Sequence, residues 1–160
     1  MAKLSDLKLT YRLYMKGYRY RSFDWKPGAR LSKPLSESKI AVVTTASYFL
    51  PEQEPFDESI RGGDFSYREV PSDANLASMG ISHRSDAFDE KGLLADYNLA
   101  MPVDRLREMA ESGEIGSVAP FHYSFQGSIP APGRLMKTTA PEVADKLKRE
   151  QVDAVLLTPV

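Results

Sequence analysis

Two short runs of aliphatic and β-branched residues constrain the fold of this chain more than any other feature. The first is KIAVVTTA at residues 39–46, and the second is VDAVLLTPV at residues 152–160. The centre of each run is apolar without strict alternation, so each run predicts a strand that is buried on both faces. Such strands belong to parallel sheets whose two faces are covered by helices.

Amphipathic helices are predicted on either side of a third strand. Residues 101–113 and 140–151 have apolar residues at three- and four-residue spacing and a proline in the first turn. Between them, residues 115–125 are typical of a strand that runs into a loop. The alternation of helix and strand predicts an α/β fold with three layers and a mainly parallel sheet. Three strands are few for such a sheet, so we expect the sheet to be incomplete at the C-terminus.

The N-terminal segment predicts a separate part of the chain. Residues 4–17 have leucines and tyrosines at helical spacing and end at Gly17, which predicts a helix. The stretch that follows interleaves aromatic with basic residues and has no period, so it predicts an extended arm. We therefore predict a helix and arm over residues 1–38 and an α/β domain over residues 39–160.

Composition excludes several classes of function. The 21 basic and 22 acidic residues give a net charge of −1, so no electrostatic feature favours a nucleic-acid or membrane partner. The longest apolar run is far shorter than the ~20 residues that span a bilayer, and no secretory signal is evident, which predicts a cytoplasmic protein. The chain contains no cysteine and two histidines, so we predict no metal site, no cofactor and no thiol nucleophile within it.

Three polar segments are candidates for chemistry. Thr44 and Thr45 follow the first strand, where α/β sheets bind ligands, but no glycine-rich phosphate motif accompanies them. His83 lies among carboxylates in SHRSDAFD, at a spacing that does not suit a hydrolase triad. His122 begins HYSFQG, which is interpreted as the loop into which the strand of residues 115–125 runs, and a lone histidine in such a place is usually a packed, hydrogen-bonded residue.

Several strings, taken in order, resemble one known family across nearly the whole chain. They are VVTTA, RGGDFSYREVP, the ISH at Ile81 to His83, ADYNLAMPVDRLREMAESGEIGSVAP, HYSFQG and APEVADKLKREQVDAVLLTPV. The chain is similar to the glycine/sarcosine/betaine reductase selenoprotein B family and its relative, the small subunit of D-proline reductase.

The resemblance implies a reductive cleavage at a carbon bonded to nitrogen or another heteroatom. In the family a selenocysteine or cysteine performs this step, and it comes directly after the strand that reads DAVLLTPV here. The resemblance implies a small-molecule substrate, an amino acid or a derivative, and a thioredoxin-like donor or a partner reductase subunit. It also implies a candidate pocket wall, which consists of Thr44, Thr45, His83, Asp96, Asn98, His122, Thr158 and Pro159.

From this we hypothesise that the natural reading frame continues past Val160 into selenocysteine, encoded by UGA. The 160-residue chain would then be truncated before its redox residue and inactive with dithiol donors. The alternative is a non-catalytic binding or assembly protein that uses its N-terminal arm for oligomer contacts. A racemase is disfavoured because the chain has no pair of opposed thiols. A homo-oligomer is expected, since a final apolar strand at a sheet edge tends to pair with another chain.

Overall fold

The computed structural model describes residues 8–17, 24, 28–83, 88 and 90–160. The chain divides into two compact units, residues 1–30 and residues 31–160. In the first unit, helix α1 occupies Leu9–Gly17. Residues 18–23 and 25–27 of the predicted arm lie outside the described residues. The domain boundary predicted between residues 38 and 39 stays a prediction.

The second unit alternates strands and helices, as the sequence predicts. Its described elements, in chain order, are β1 (Lys39–Thr44), β2 (Tyr48–Phe49), β3 (Tyr67–Pro71), β4 (Gly80–Ile81), α2 (Glu90–Ala95), α3 (Val103–Glu111), β5 (Ser117–Val118), β6 (Phe121–Phe125), α4 (Gly133–Lys137), α5 (Thr139–Arg149) and β7 (Ala154–Thr158).

The main sheet is built around β1 and is mainly parallel. One edge of β1 pairs with β7 in parallel, from Ile40 opposite Ala154 to Thr44 opposite Thr158. The other edge pairs in parallel with β5 and then with β6, while β3 adds to β6 in the antiparallel direction. Strands β2 and β4 form a separate antiparallel pair. The α/β class with a mainly parallel sheet is thus confirmed.

The predicted strand at residues 115–125 is divided into β5 and β6. The break falls at Ala119 and Pro120, where proline has no backbone N–H to donate to a ladder. Ala119 still donates its N–H to the carbonyl of Ile40 at 2.8 Å. The ladder between β1 and its neighbour is therefore interrupted opposite the middle of β1.

Both faces of β1 are buried. Successive side chains of the strand point to opposite faces of the sheet, so neighbouring residues belong to different parts of the core. Ala41 and Val42 are both fully buried. Val42 belongs to a core cluster that includes Val103 of α3. Ala41 belongs to a second cluster that includes Val143 of α5. Helices on opposite faces give the three layers that the sequence predicts.

Candidate active site

The carboxyl ends of three parallel strands meet at one edge of the main sheet. Thr44 ends β1 and Thr45 follows it, Gln126 and Gly127 follow β6, and β7 ends at Thr158. In open α/β sheets this edge is where ligands bind, because the strand ends present backbone groups and short polar side chains to one crevice. The candidate site is therefore assembled from residues that are remote in the sequence.

Thr45 fixes the backbone that leaves β7. Its Oγ1 donates to the carbonyl oxygen of Val160 at 3.2 Å and accepts from the Val160 N–H at 3.0 Å. The Thr45 N–H and the Thr44 hydroxyl both donate to the carbonyl oxygen of Thr158, at 3.3 and 3.2 Å. Pro159, between these two anchored residues, is exposed. The backbone of Val160 is thus held beside the end of β1.

Ser47 connects the loop after β1 to the end of β6 by two hydrogen bonds. It is fully buried and has a φ of 59°, a left-handed conformation that is uncommon for a residue with a side chain. Its N–H donates to the carbonyl of Phe125 at 3.0 Å, and its Oγ accepts from the Gly127 N–H at 3.2 Å. The surrounding hydrogen bonds offset the conformational cost and place the two loops side by side.

His83 packs against this pair of loops. Its ring stacks on Phe88, with centroids 3.8 Å apart and planes 8° apart. A Cβ atom built at Gly127 would overlap Nε2 of His83 and lie 2.8 Å from the carbonyl oxygen of Thr45. Glycine at position 127 is thus what allows the His83 ring to approach the strand ends. His83 is buried beside Thr45 and Gly127, although it comes from a distant part of the chain.

His122 lies within β6, whereas the sequence interpretation places it after the strand. It is fully buried, and its Nδ1 accepts from the Val42 N–H at 3.0 Å. Its Nε2 lies 2.8 Å from the Ser72 hydroxyl, which donates to the Ala119 carbonyl. The ring supplies an acceptor where the β1 ladder is interrupted. Burial, helped by the charge of Arg107, lowers the pKa of His122 to about 4, so the ring is neutral at pH 7.

Asp96 and Asn98 lie in the turn that precedes α3. The Asp96 carboxylate accepts from the Asn98 N–H at 2.9 Å. The Asn98 side chain both accepts from the N–H of Asp104 at 3.2 Å and donates to the Asp104 carboxylate at 3.0 Å. Hydrogen bonds from Tyr97 and Asn98 lower the pKa of Asp104. These contacts cap the start of α3.

The turn before α3 is connected to the strand ends through the side chain of Thr158. The Thr158 hydroxyl donates to the carbonyl of Ala100 at 2.6 Å. The structure therefore brings together Thr44, Thr45, His83 and Thr158, with Pro159 beside them. It places Asp96 and Asn98 one step away in a helix cap, and it places His122 inside the sheet.

Sequence reasoning did not single out Ser47, Gln126 or Gly127. The last two end the string HYSFQG, in which the histidine has the side chain most typical of catalysis. The available signal was a glycine two residues after a predicted strand, which indicates a close approach of backbone. No local pattern identifies Ser47, because its left-handed conformation depends on the β6 loop that it contacts.

Two further findings apply to the described part of the chain. No three or more histidine, aspartate or glutamate side chains there lie close enough together to hold a metal ion. Likewise, no helix among those residues has the length and apolar character needed to cross a membrane.

Comparison with known proteins identifies the family. The sequence model of glycine/sarcosine/betaine reductase selenoprotein B matches residues 4–160. The chain is 35% identical over 134 residues to D-proline reductase subunit gamma of Acetoanaerobium sticklandii, covering 84% of this chain and 52% of that protein. It is 30% identical over 152 residues to glycine reductase complex component B subunit gamma of Symbiobacterium thermophilum, covering 94% of this chain and 35% of that protein.

Another relative is betaine reductase complex component B subunit beta of Peptoclostridium acidaminophilum, with 29% identity over 126 residues, covering 79% of this chain and 29% of that protein. No solved structure gives a significant match. The chain thus spans between 29 and 52% of the length of these curated relatives. Since the family match extends from residue 4 to residue 160, the chain belongs to the glycine/sarcosine/betaine reductase selenoprotein B family.

Proposed function

We propose that this chain forms the scaffold of a reductase active site whose reactive thiol or selenol comes directly after Val160. The observation that carries the proposal is the double hydrogen bond between Thr45 and the backbone of Val160, at the edge where β1, β6 and β7 end. A residue that follows Val160 begins beside Thr45 and Gly127 of this edge. On this proposal the 160 residues alone, which contain no cysteine, hold the site without its redox atom.

The strand-end position suits a reactive thiolate or selenolate. When a helix starts after a strand, its unpaired N–H groups and partial positive charge stabilise an anion and lower the pKa of the thiol. The reaction would cleave a carbon–nitrogen bond of an amino acid or derivative, giving C–H and N–H bonds. The two electrons and two protons would come from a dithiol that is oxidised to a disulfide.

The partners belong to the same proposal. The relatives are named as subunits of D-proline, glycine and betaine reductases, which supports a partner reductase subunit or a thioredoxin-like donor for the whole protein. We also place the protein in the cytoplasm, because a free selenol or thiol needs reducing surroundings.

The codon that follows Val160 in the gene tests the placement of the redox atom. We expect UGA or a cysteine codon there. We further expect dithiol-dependent reductase activity from the continuous product of that reading frame and none from the 160 residues alone. A codon for any other residue at this position, or turnover by the 160-residue chain above a control without enzyme, would contradict the proposal.

Strand β7 supports the expectation of a homo-oligomer. It pairs with β1 on one side, and Val155, Leu156 and Leu157 are 37, 39 and 67% exposed. Residues 154–160 carry no charge to discourage edge pairing. We expect light scattering to show an oligomer that dissociates in the Leu157→Asp variant but not in Leu94→Asp, whose side chain is 58% exposed on α2. A monomeric wild-type chain would count against this.

A further inference from the structure

An apolar groove of about 230 Å³ lies between α5 and β7, and every residue that lines it is apolar. Its floor includes Val43 of β1 together with Val155 and Leu157 of β7. In the sheet, Val155 lies opposite Ala41 and Leu157 lies opposite Val43. Both of these β1 residues pack in the core cluster that includes Val143 of α5. The groove is therefore on the sheet face that α5 covers.

This groove is open to solvent, although its lining is apolar. Val155 and Leu157 on its floor and Ala144 on its wall are all exposed. Within the described residues, β7 pairs with β1 and with no other strand. An apolar surface beside a free strand edge is typical of a surface that another segment covers.

The wall formed by α5 suits a close neighbour. Ala140 and Ala144 are about one helical turn apart, and both line the groove. The distance between two packed helices depends on the side chains at their contact, and alanines allow a close approach. The larger Val143 and Leu147 are buried towards the core. The occupant that fits this wall is a helix that lies alongside α5.

The winding of the sheet indicates which segment would supply this helix. Strands β6 and β7 lie on opposite edges of β1 and run parallel to it, and the chain passes from β6 to β7 through α5. Connections between parallel strands are right-handed in about 98% of cases. A further parallel strand at the free edge of β7 would continue in the same direction across the sheet. A connection of the same hand would then place its helix on the same face as α5.

We propose that a helix of the same polypeptide, which follows Val160, covers this groove and packs alongside α5. The inference rests on the proposed function in taking the chain to continue past Val160. Relatives of greater length support this, since the 134 matched residues are 52% of D-proline reductase subunit gamma. Thr45 holds the Val160 backbone at the carboxyl end of β1, so the helix would start near the candidate site and run back along the groove.

A second copy of the chain is the competing occupant. In the 160 residues alone the groove has no following helix, and the oligomer expected above would use the same surface. The two occupants respond differently to dilution. A helix of the same chain keeps its effective concentration, whereas a second copy dissociates.

Thiol labelling of the continuous product of the reading frame tests the proposal, with the 160-residue chain for comparison. Ala144→Cys places a thiol in the groove. Asp145→Cys is the matched control, because Asp145 is exposed on α5 and does not line the groove. Peptide mass spectrometry reads the alkylation at each position, at two protein concentrations about 100-fold apart.

In the folded continuous product, the thiol of Ala144→Cys should react at least about ten-fold more slowly than that of Asp145→Cys at both concentrations. In the dilute 160-residue chain, the two thiols should react within about two-fold of each other. Equal labelling in the continuous product would overturn the proposal. Protection that is lost on dilution would identify a second copy as the occupant and would also overturn it, as would equal protection in the dilute 160-residue chain.

The labelling requires no redox residue, so its outcome is separate from that of the proposed function. A continuous frame with neither UGA nor a cysteine codon after Val160 would contradict the proposed function alone. Open grooves in an active continuous product would contradict this inference alone. A reading frame that ends after codon 160 at a stop codon other than UGA would overturn both.

Discussion

Replacing Gly127 with alanine is expected to lower the free energy of unfolding by about 2 kcal/mol, and to move the His83 ring away from the strand ends. The added methyl would overlap Nε2 of His83 and lie 2.8 Å from the Thr45 carbonyl oxygen. The His83 ring is stacked on Phe88, and Thr45, directly after β1, donates its N–H to the carbonyl of Thr158, so neither neighbour can move without losing contacts.

Thermal unfolding checks this prediction. For a domain of this size a loss of 2 kcal/mol corresponds to a fall in Tm of about 4–8 °C. Gly133→Ala is the matched control, because a Cβ at Gly133 in α4 meets no atom within 4 Å. Alanine there should leave Tm unchanged or raise it slightly. If Gly127→Ala had the same Tm as the Gly133→Ala control, the prediction that His83 lies against Gly127 would be wrong.

Stability is expected to fall by about 3 kcal/mol as the pH is lowered from 6.5 to 4, because His122 must remain neutral in the folded protein. Its pKa is lowered to about 4 by burial and by Arg107, while the unfolded chain takes up this proton near pH 6.5. Between these values the unfolded state binds more protons, so falling pH favours unfolding. The contribution is fully present above pH 6.5 and is lost as the pH falls towards 4.

Urea unfolding at a series of pH values, together with the imidazole ¹⁵N shifts, tests this prediction. Protonation of Nδ1 would break its hydrogen bond with Val42, so the ring should stay neutral down to about pH 4. His122→Ala should be less stable at pH 7, because the buried Val42 N–H loses its acceptor. Its stability should also fall less than that of the wild type between pH 6.5 and 4. An unchanged pH slope in His122→Ala would show that another group is responsible.

The elements predicted most successfully are those whose signal lies within one segment. The strand at residues 39–46 is observed as Lys39–Thr44, and the helix at residues 140–151 is observed as Thr139–Arg149. The pair formed by β2 and β4 could not be predicted in this way. Each of these strands has two residues, which is too few for a hydrophobic period, and they pair across a long intervening stretch of chain.

The same distinction between local and long-range signals applies to the candidate site. The hydroxyls of Thr44 and Thr45 followed from the rule that α/β sheets bind ligands at strand ends. The approach of His83 to Gly127 could not be predicted from that rule, since it depends on a loop that packs against a glycine far away in the sequence. The sequence does not distinguish the roles of the two histidines. His83 lies beside the strand ends, whereas His122 lies in β6 and accepts the Val42 N–H in place of a backbone carbonyl.

The sequence by itself determined the α/β class, the order of the main strands and helices, and the family, because periodicity and motif order are properties of consecutive residues. Only the tertiary structure decided which polar groups share a crevice. That outcome depends on which strand ends are neighbours, on where Pro120 interrupts the strand ladder, and on the space that Gly127 leaves for the His83 ring. Those are distances between remote residues, which no local pattern encodes.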